Sequence, residues 1–301
     1  MSETLHALFS PAGAAWIVPL VALVVAHFIS EPLRWQIYLR GSTPGGVMRL
    51  VHIFSLTAFI GYTMPLKMGL PVRVLLLRSR AEISLGRISS LLILDGLLYY
   101  VMWALAACGT LLAFAGRLEL SAEMTLGLAA AALALVGLLG GWLAWLRPRE
   151  RAAGEERSGT SVLDGLRQRV ARLRVAARET DASAVRAAAV IAALDIVSHV
   201  LRHGALLAVC GVSLEPGALA LVACVSVFVG LVSLMPMGLG GYDVTLVLLL
   251  SQLGVMTEVA ILVAVMNRVV TIAVGSALGV WGGFALGLHP LRRDWMSRSG
   301  N

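Results

Sequence analysis

Apolar runs long enough to enter a bilayer alternate with polar segments along most of this chain. In the first half the runs are Ala14–Ser30, Leu50–Met64, a short Leu70–Leu77 and a long Ile88–Ala115. The second half repeats the order with Ala187–Cys210, Ala218–Met235, a short Val244–Leu253 and a long Val259–Leu286. One further run, Thr125–Leu146, stands between them. Both short runs follow a Met-Pro break, Met64-Pro65-Leu66-Lys67-Met68-Gly69 and Met235-Pro236-Met237-Gly238-Leu239-Gly240. A helical span needs about 20 apolar residues, so neither short run is expected to cross alone. Inside lipid, each break leaves backbone N–H and C=O groups that need protein or cavity water as partners. Paired breaks in matching parts of two halves point to a transporter's binding site.

Charge between the runs sets the expected topology. Arg34–Arg49, Arg78–Arg87, Arg147–Arg186 and the C-terminal tail are rich in arginine and are expected on the cytoplasmic side. The N-terminus, Gly116–Met124, Gly211–Gly217 and Gly254–Glu258 carry little positive charge and are expected outside. These assignments agree when residues 50–77 and 218–253 are hairpins that enter and leave on one side. The predicted fold is an all-α integral membrane protein, a polytopic bundle with two inverted halves. Residues 14–115 and 187–286 form the halves, each with a Pro/Gly-broken re-entrant hairpin, and residues 125–146 connect them in a single domain over 1–301. The alternative, nine separate crossings, needs tilt or a thinned bilayer at each short run. Residues 1–13 hold no Lys or Arg, so the first run is not expected to be a cleaved signal.

Composition narrows the class. Apolar residues make up 58% of the chain against 14% charged, which excludes an ordinary soluble domain. The net charge of +7 rests almost wholly on arginine, with Lys67 the single lysine. It sits in loops suited to anionic headgroups, so lipid is the expected partner and nucleic acid is not. Segment 147–186 holds ten arginines and six carboxylates. At its centre Val162, Leu163, Leu166, Val170 and Leu173 fall at helical spacing, the pattern of a basic amphipathic helix on the membrane surface or of a solvated linker helix. Cys108, Cys210 and Cys224 lack CxxC spacing and read as packing residues.

Ionisable groups at membrane depth cost about 2.5–3.5 kcal/mol each on insertion scales and therefore mark partners or wet cavities. Lys67, Arg73 and Asp95 follow the first break, and Asp243, Asn267 and Arg268 follow the second. They are read as a polar cavity in which Arg73, Arg268 and Lys67 hold an anionic headgroup and the aspartates pair with them when it is empty. The competing reading is static ion pairs that fix helix packing. Asp195, His199 and His203 stack at i, i+4 and i+8, with Arg202 beside them, and read as a proton relay or as hydrogen-bonding residues at the interface. No metal is assigned there, because no HExxH-type completion follows. Tyr99, Tyr100, Trp103, Trp142, Trp145 and Trp281 read as packing or belt residues. No catalytic residue is assigned, since no nucleophile elbow or phosphate-binding loop is present, and no cofactor is expected.

Several of these residues resemble one family. Leu33-Arg34-Trp35 with Tyr38-Leu39, Met64-Pro65 through Gly69 and Arg73, Asp95, and Pro236-Met237-Gly238-Leu239-Gly240-Gly241-Tyr242-Asp243 with Arg268 are similar to the flippase-like transmembrane domain of lysylphosphatidylglycerol synthases. The resemblance spans most of residues 28–285, without the Arg-rich centre. The synthases' soluble aminoacyltransferase domain is not expected here. Two departures stand out. The family's Gly-Glu-x-x-Arg is Gly69-Leu70-Pro71-Val72-Arg73, which lacks the acid, and its Glu-Arg before the Asp95 position is Leu91-Leu92. The resemblance implies movement of a lipid or polyprenyl-linked compound across the cytoplasmic membrane of a bacterium.

The expected site is therefore Lys67, Gly69, Arg73, Asp95, Pro236, Gly238, Gly240, Asp243 and Arg268, with Asp195, His199 and His203 as the relay. The expected function is a non-enzymatic lipid flippase or transporter. Two alternatives stand beside it: a membrane accessory subunit of an isoprenoid- or hopanoid-type lipid biosynthesis complex, and an intramembrane enzyme built on Asp195 and the two histidines.

Overall fold

The computed structural model describes residues 11–40, 45–64, 68–118, 121–146, 180–233 and 240–287. Within them lie nine helices and no strand: α1 (Pro11–Tyr38), α2 (Gly46–Thr63), α3 (Gly69–Arg80), α4 (Leu85–Ala113), α5 (Ala122–Leu146), α6 (Ala182–Val209), α7 (Pro216–Val232), α8 (Gly241–Gln252) and α9 (Thr257–Ala285). The amphipathic helix expected in the Arg-rich segment falls outside the described residues, as do Pro65, Lys67, Pro236 and Gly238.

The chain is a multi-pass α-helical membrane protein. Helices α1, α2, α4, α6 and α9 are each long and apolar enough to span a bilayer. Their outer faces carry the apolar residues. On α6, Val190, Leu194, Val197 and Leu201 are exposed at helical spacing, while Ala188, Ala192, Asp195, His199 and Arg202 face inward. On α9, Ile261, Val265, Val269 and Ile272 face out and Ala260, Val263, Asn267 and Gly275 face in. A soluble protein does not expose stripes of this kind, whereas lipid accepts them.

The two halves match in length. Helices α1 to α4 have 28, 18, 12 and 29 residues, and α6 to α9 have 28, 17, 12 and 29. Packing follows the same plan. Helix α1 lies against α6, α2 against α9 and α4 against α7, so exchanging the halves maps this set of contacts onto itself. Helix α5 packs on α4. At about 1.5 Å per residue, α3 and α8 are about 18 Å long, well short of the roughly 30 Å hydrocarbon core. Each packs on the helix before it, α3 on α2 and α8 on α7.

Contacts between loops sort the helix ends. Arg49 at the start of α2 donates to the Arg80 carbonyl at the end of α3 (2.8 Å), and Arg87 at the start of α4 donates to the Tyr38 carbonyl at the end of α1 (3.0 Å). Arg40 pairs with Asp181, the N-cap of α6, at 3.6 Å. The Ser183 hydroxyl and N–H hold the Asp181 carboxyl below the usual carboxylate range. Arg117 after α4 pairs with Glu215, the N-cap of α7.

The first span does not stop at Ser30. Helix α1 runs on through Pro32 to Tyr38, because losing the Pro32 N–H removes one backbone bond while Arg34, Trp35 and Tyr38 become buried. The first eight residues of the polar stretch after Ser30 are thus part of the bundle. Two apolar cores flank the middle. One gathers Trp35, Leu50, Leu77 and Leu91 from the first half, and the other Leu206, Leu221, Leu246 and Val263 from the second.

Glycines let α9 approach α2. A Cβ on Gly279 would stand 2.3 Å from the Phe59 Cβ, and one on Gly282 would stand 2.5 Å from the His52 carbonyl oxygen. Small residues at helix interfaces serve this close approach in membranes. Gly282→Ala is expected to cost about 1–3 kcal/mol, the range for overpacking, read as earlier thermal unfolding in detergent. The neighbouring Gly283→Ala, whose Cβ would meet the Leu56 side-chain tip at 3.6 Å, is the control expected to be neutral.

Candidate functional site

Among the described residues, two cavities with charged side chains on their walls stand out. The larger, about 530 Å³, is lined by His27, Glu31, Arg34, Thr57, Gly69, Arg73, Asp95 and Tyr99 among others. The smaller, about 330 Å³, is lined by His199, Arg202, Ser233, Tyr242, Asn267, Arg268 and Thr271. His27, Tyr62, Tyr100 and Leu231 line both, so the two form one site with two lobes. This volume is in the range of small-molecule and cofactor sites.

Arginine–carboxylate pairs hold the walls. Arg34 donates from Nε and Nη2 to the two Asp95 oxygens at 2.8 and 3.1 Å, and the Tyr38 hydroxyl adds a bond at 3.2 Å. Both partners are almost fully buried. Arg73 donates to Glu31 at 2.6 Å and to the Thr57 hydroxyl at 3.2 Å, with its guanidinium 4.3 Å from the Phe54 ring centre. Arg268 reaches Asp243 from Nε at 2.8 Å, and the Gly240 N–H donates to the same carboxylate at 3.4 Å. Gly240 has φ +84, which an L side chain rarely adopts. It starts α8 directly after the second break.

A second network runs along α6. One ring nitrogen of His27, Nδ1, lies 3.0 Å from an Asp195 oxygen and 3.2 Å from His199 Nε2. A neutral ring has one proton to give there, so only one of the two contacts is an ordinary two-centre bond. The Tyr99 hydroxyl donates to the other Asp195 oxygen at 2.9 Å. Farther along, His203 Nδ1–H donates to the His199 carbonyl at 2.7 Å. The Tyr242 hydroxyl then donates to His203 Nε2 at 2.7 Å and accepts from Asn267 at 2.8 Å. His203 is thereby satisfied as a neutral ring.

The sequence-derived residues fall into three groups. Gly69, Arg73, Asp95 and Arg268 line the cavity, and Asp243, which accepts from the Gly240 N–H, holds Arg268. Asp195 and His199 are brought together, but through His27 of α1; His203 serves Tyr242 instead. Gly69 has a structural reason as well, since a Cβ there would stand 2.3 Å from the Thr57 carbonyl oxygen. Lys67, Pro236 and Gly238 lie outside the described residues.

Pairing differs from the expectation at three places. Asp95 is held by Arg34, and Arg73 pairs elsewhere. The acid absent after Gly69 is replaced from another helix, as Glu31 of α1 meets Arg73. Asp195 is held by His27 and Tyr99 and not by an arginine. Tyr99 and Tyr100, read as packing or belt residues, line the cavity. Sequence reasoning passed over His27, Glu31, Arg34, Tyr62 and Tyr242 as site residues. The first three fall at i, i+4 and i+7, a helical stripe visible in the sequence once α1 is allowed to continue.

His27, Asp195 and His199 also present three metal-ligand atoms within 4.8 Å of one another. This is a minimal nitrogen and oxygen donor set for a divalent ion.

Helices of this length and apolarity, packed around cavities with charged side chains on their walls, define a polytopic membrane protein. Residues 2–279 match the family model of the lysylphosphatidylglycerol synthase TM region, and the chain belongs to that family. No curated protein and no solved structure matches it.

Proposed function

We propose that this protein moves an anionic phospholipid or a polyprenyl-linked lipid across the cytoplasmic membrane of a bacterium without chemical change. The observation that carries this reading is the pair of adjoining cavities, each with arginines on its wall and enclosed by helices whose outer faces suit acyl chains. One is lined almost wholly by the first half and the other mostly by the second. The headgroup passes through the cavity while the tails remain in lipid. Arg73 and Arg268, each on or beside a short helix that follows a break, exchange their carboxylates for headgroup oxygens.

In this reading the halves are inverted repeats, and α2–α3 and α7–α8 are re-entrant hairpins. Their matched lengths support it, as does the meeting of the α2 start with the α3 end. The Arg-rich ends of α1, α3 and the C-terminal tail face the cytoplasm, and the N-terminus faces outward. His27, Asp195 and His199 offer a path for a proton that accompanies the lipid.

The test is lipid movement in vesicles reconstituted with the purified protein and carrying headgroup-labelled anionic, neutral and polyprenyl lipids. Selective movement of the anionic or polyprenyl lipid is the expected result. Folded protein that moves none of them would replace this reading with that of an accessory subunit in lipid biosynthesis, which then should copurify with an enzyme.

A further inference from the structure

We propose that Arg202 is the anchor of a phosphate subsite in the smaller lobe, a role that the arginine–carboxylate pairs around it do not fill. The inference rests on the reading that a lipid headgroup enters the cavity, and it names the group that is recognised there.

The argument begins with charge. Four arginines line the two lobes, and three are answered by carboxylates: Arg34 by Asp95, Arg73 by Glu31 and Arg268 by Asp243. Arg202 is 5% exposed, lines the smaller lobe and makes no ion pair with any described residue. Among the described residues its Nε has no hydrogen-bond partner, while its guanidinium contacts the Tyr242 hydroxyl. The remaining carboxylate, Asp195, precedes it by two helical turns, about 10 Å along the axis, and is already held by His27 and Tyr99. A buried guanidinium without a counter-charge is among the costliest arrangements a fold retains.

Comparison of the halves shows where the counter-charge is missing. Asp95 and Asn267 occupy the same place in helices of equal length, ten residues after Leu85 and Thr257. Arg34 and Arg202 both lie in the C-terminal third of the corresponding helices α1 and α6, about one helical turn apart in register. In the first half the arginine meets a carboxylate. In the second half the matching position holds an amide, Asn267, whose Oδ1 also lacks a partner among the described residues. The first half therefore closes its buried charge internally, and the second leaves one positive charge facing a cavity.

An anion supplies what Asn267 does not. Arg202 and Arg268 present two guanidiniums to one lobe of about 330 Å³, with the side chains of Ser233 and Thr271 also on its wall. A phosphate has more acceptor oxygens than a carboxylate and suits several donors converging from different helices. Its source is either the phosphate of a lipid headgroup or free phosphate.

The experiment uses the full chain purified into nanodiscs of neutral lipid. Dioctanoyl phosphatidylglycerol, inorganic phosphate and dioctanoylglycerol are added separately, and thermal unfolding and ligand retention in native mass spectrometry are read. The parent protein is expected to be stabilised by a phosphate-bearing probe and not by dioctanoylglycerol. A shift with the phospholipid alone assigns the site to a headgroup, and an equal shift with inorganic phosphate assigns it to a free anion; both support the subsite. Without added ligand, Arg202→Met is expected to unfold at a higher temperature than the parent and to bind the probe at least tenfold more weakly. Arg202→Lys, which keeps charge but not the planar fork, is expected to lie between them. Earlier unfolding or failure to fold in Arg202→Met, or unchanged affinity in both variants, would overturn the proposal. Loss of binding with lipid movement retained refutes this subsite as part of the path and leaves transport standing. Binding without any movement in the parent protein does the reverse.

Discussion

Asp95→Ala is expected to unfold well below the parent protein, with a loss of about 3–5 kcal/mol, the cost of leaving one member of a buried ion pair alone. Asp95 accepts two bonds from Arg34 and one from Tyr38, all inside the bundle. Its removal strands a guanidinium that is 2% exposed. The comparison that gives this number meaning is Asp243→Ala. The Arg268–Asp243 pair faces the cavity, with side chains 17% and 26% exposed, so water screens the charge left behind. An effect of roughly 0–1 kcal/mol is expected there. The double variant Arg34→Met/Asp95→Leu removes both charges together and is expected to be neutral or more stable than the parent by up to about 4 kcal/mol. Denaturation in detergent, followed by circular dichroism, reads all three. Equal losses for Asp95→Ala and Asp243→Ala would mean that Asp95 does not anchor α1 to α4.

The difference between those two pairs also marks how far the sequence alone reaches. The apolar runs, their order in each half and the two short helices after the breaks follow from hydrophobic length. No partner information is needed for that, and the helices stand where the runs place them. Helix ends were less visible. Pro32 and the charges of Glu31 and Arg34 look like the close of a span, yet burial of Trp35 and Tyr38 carries α1 eight residues past Ser30. That one boundary hides both counter-charges, because Glu31 and Arg34 meet their partners 42 and 61 residues away. Long-range pairing of this kind leaves no local signal. Asp243, by contrast, lies just after the second break and Arg268 inside the last span, and they meet as one of the several pairings open to the charges gathered there. His27 was open to detection as a lone imidazole within an apolar run. Its role became visible only when α1 was packed on α6.

Lipid movement is expected to fall by about 10- to 150-fold in both Arg73→Ala and Arg268→Ala, with protein yield and unfolding temperature nearly unchanged. A hydrogen bond to a charged group contributes about 1.5–3 kcal/mol, and each 1.4 kcal/mol is tenfold in rate. The two variants should behave alike, since each removes one guanidinium from one half of the cavity. Their carboxylates separate a transport role from a packing role. Glu31 and Asp243 already occupy the arginines, so a headgroup oxygen that arrives replaces a carboxylate oxygen. The guanidinium is never left bare, and the freed carboxylate, 35% exposed for Glu31 and 26% for Asp243, is solvated by cavity water. Exchange of like for like keeps the barrier low in a medium where an unpaired ion is costly. Glu31→Gln and Asp243→Asn take away the competitor. Binding of a labelled anionic lipid should then tighten while its movement slows, because release no longer has a carboxylate to replace the headgroup. A packing role predicts instead that both variants lose stability and that affinity does not rise. Affinity measured on the purified variants beside movement in vesicles decides between the two.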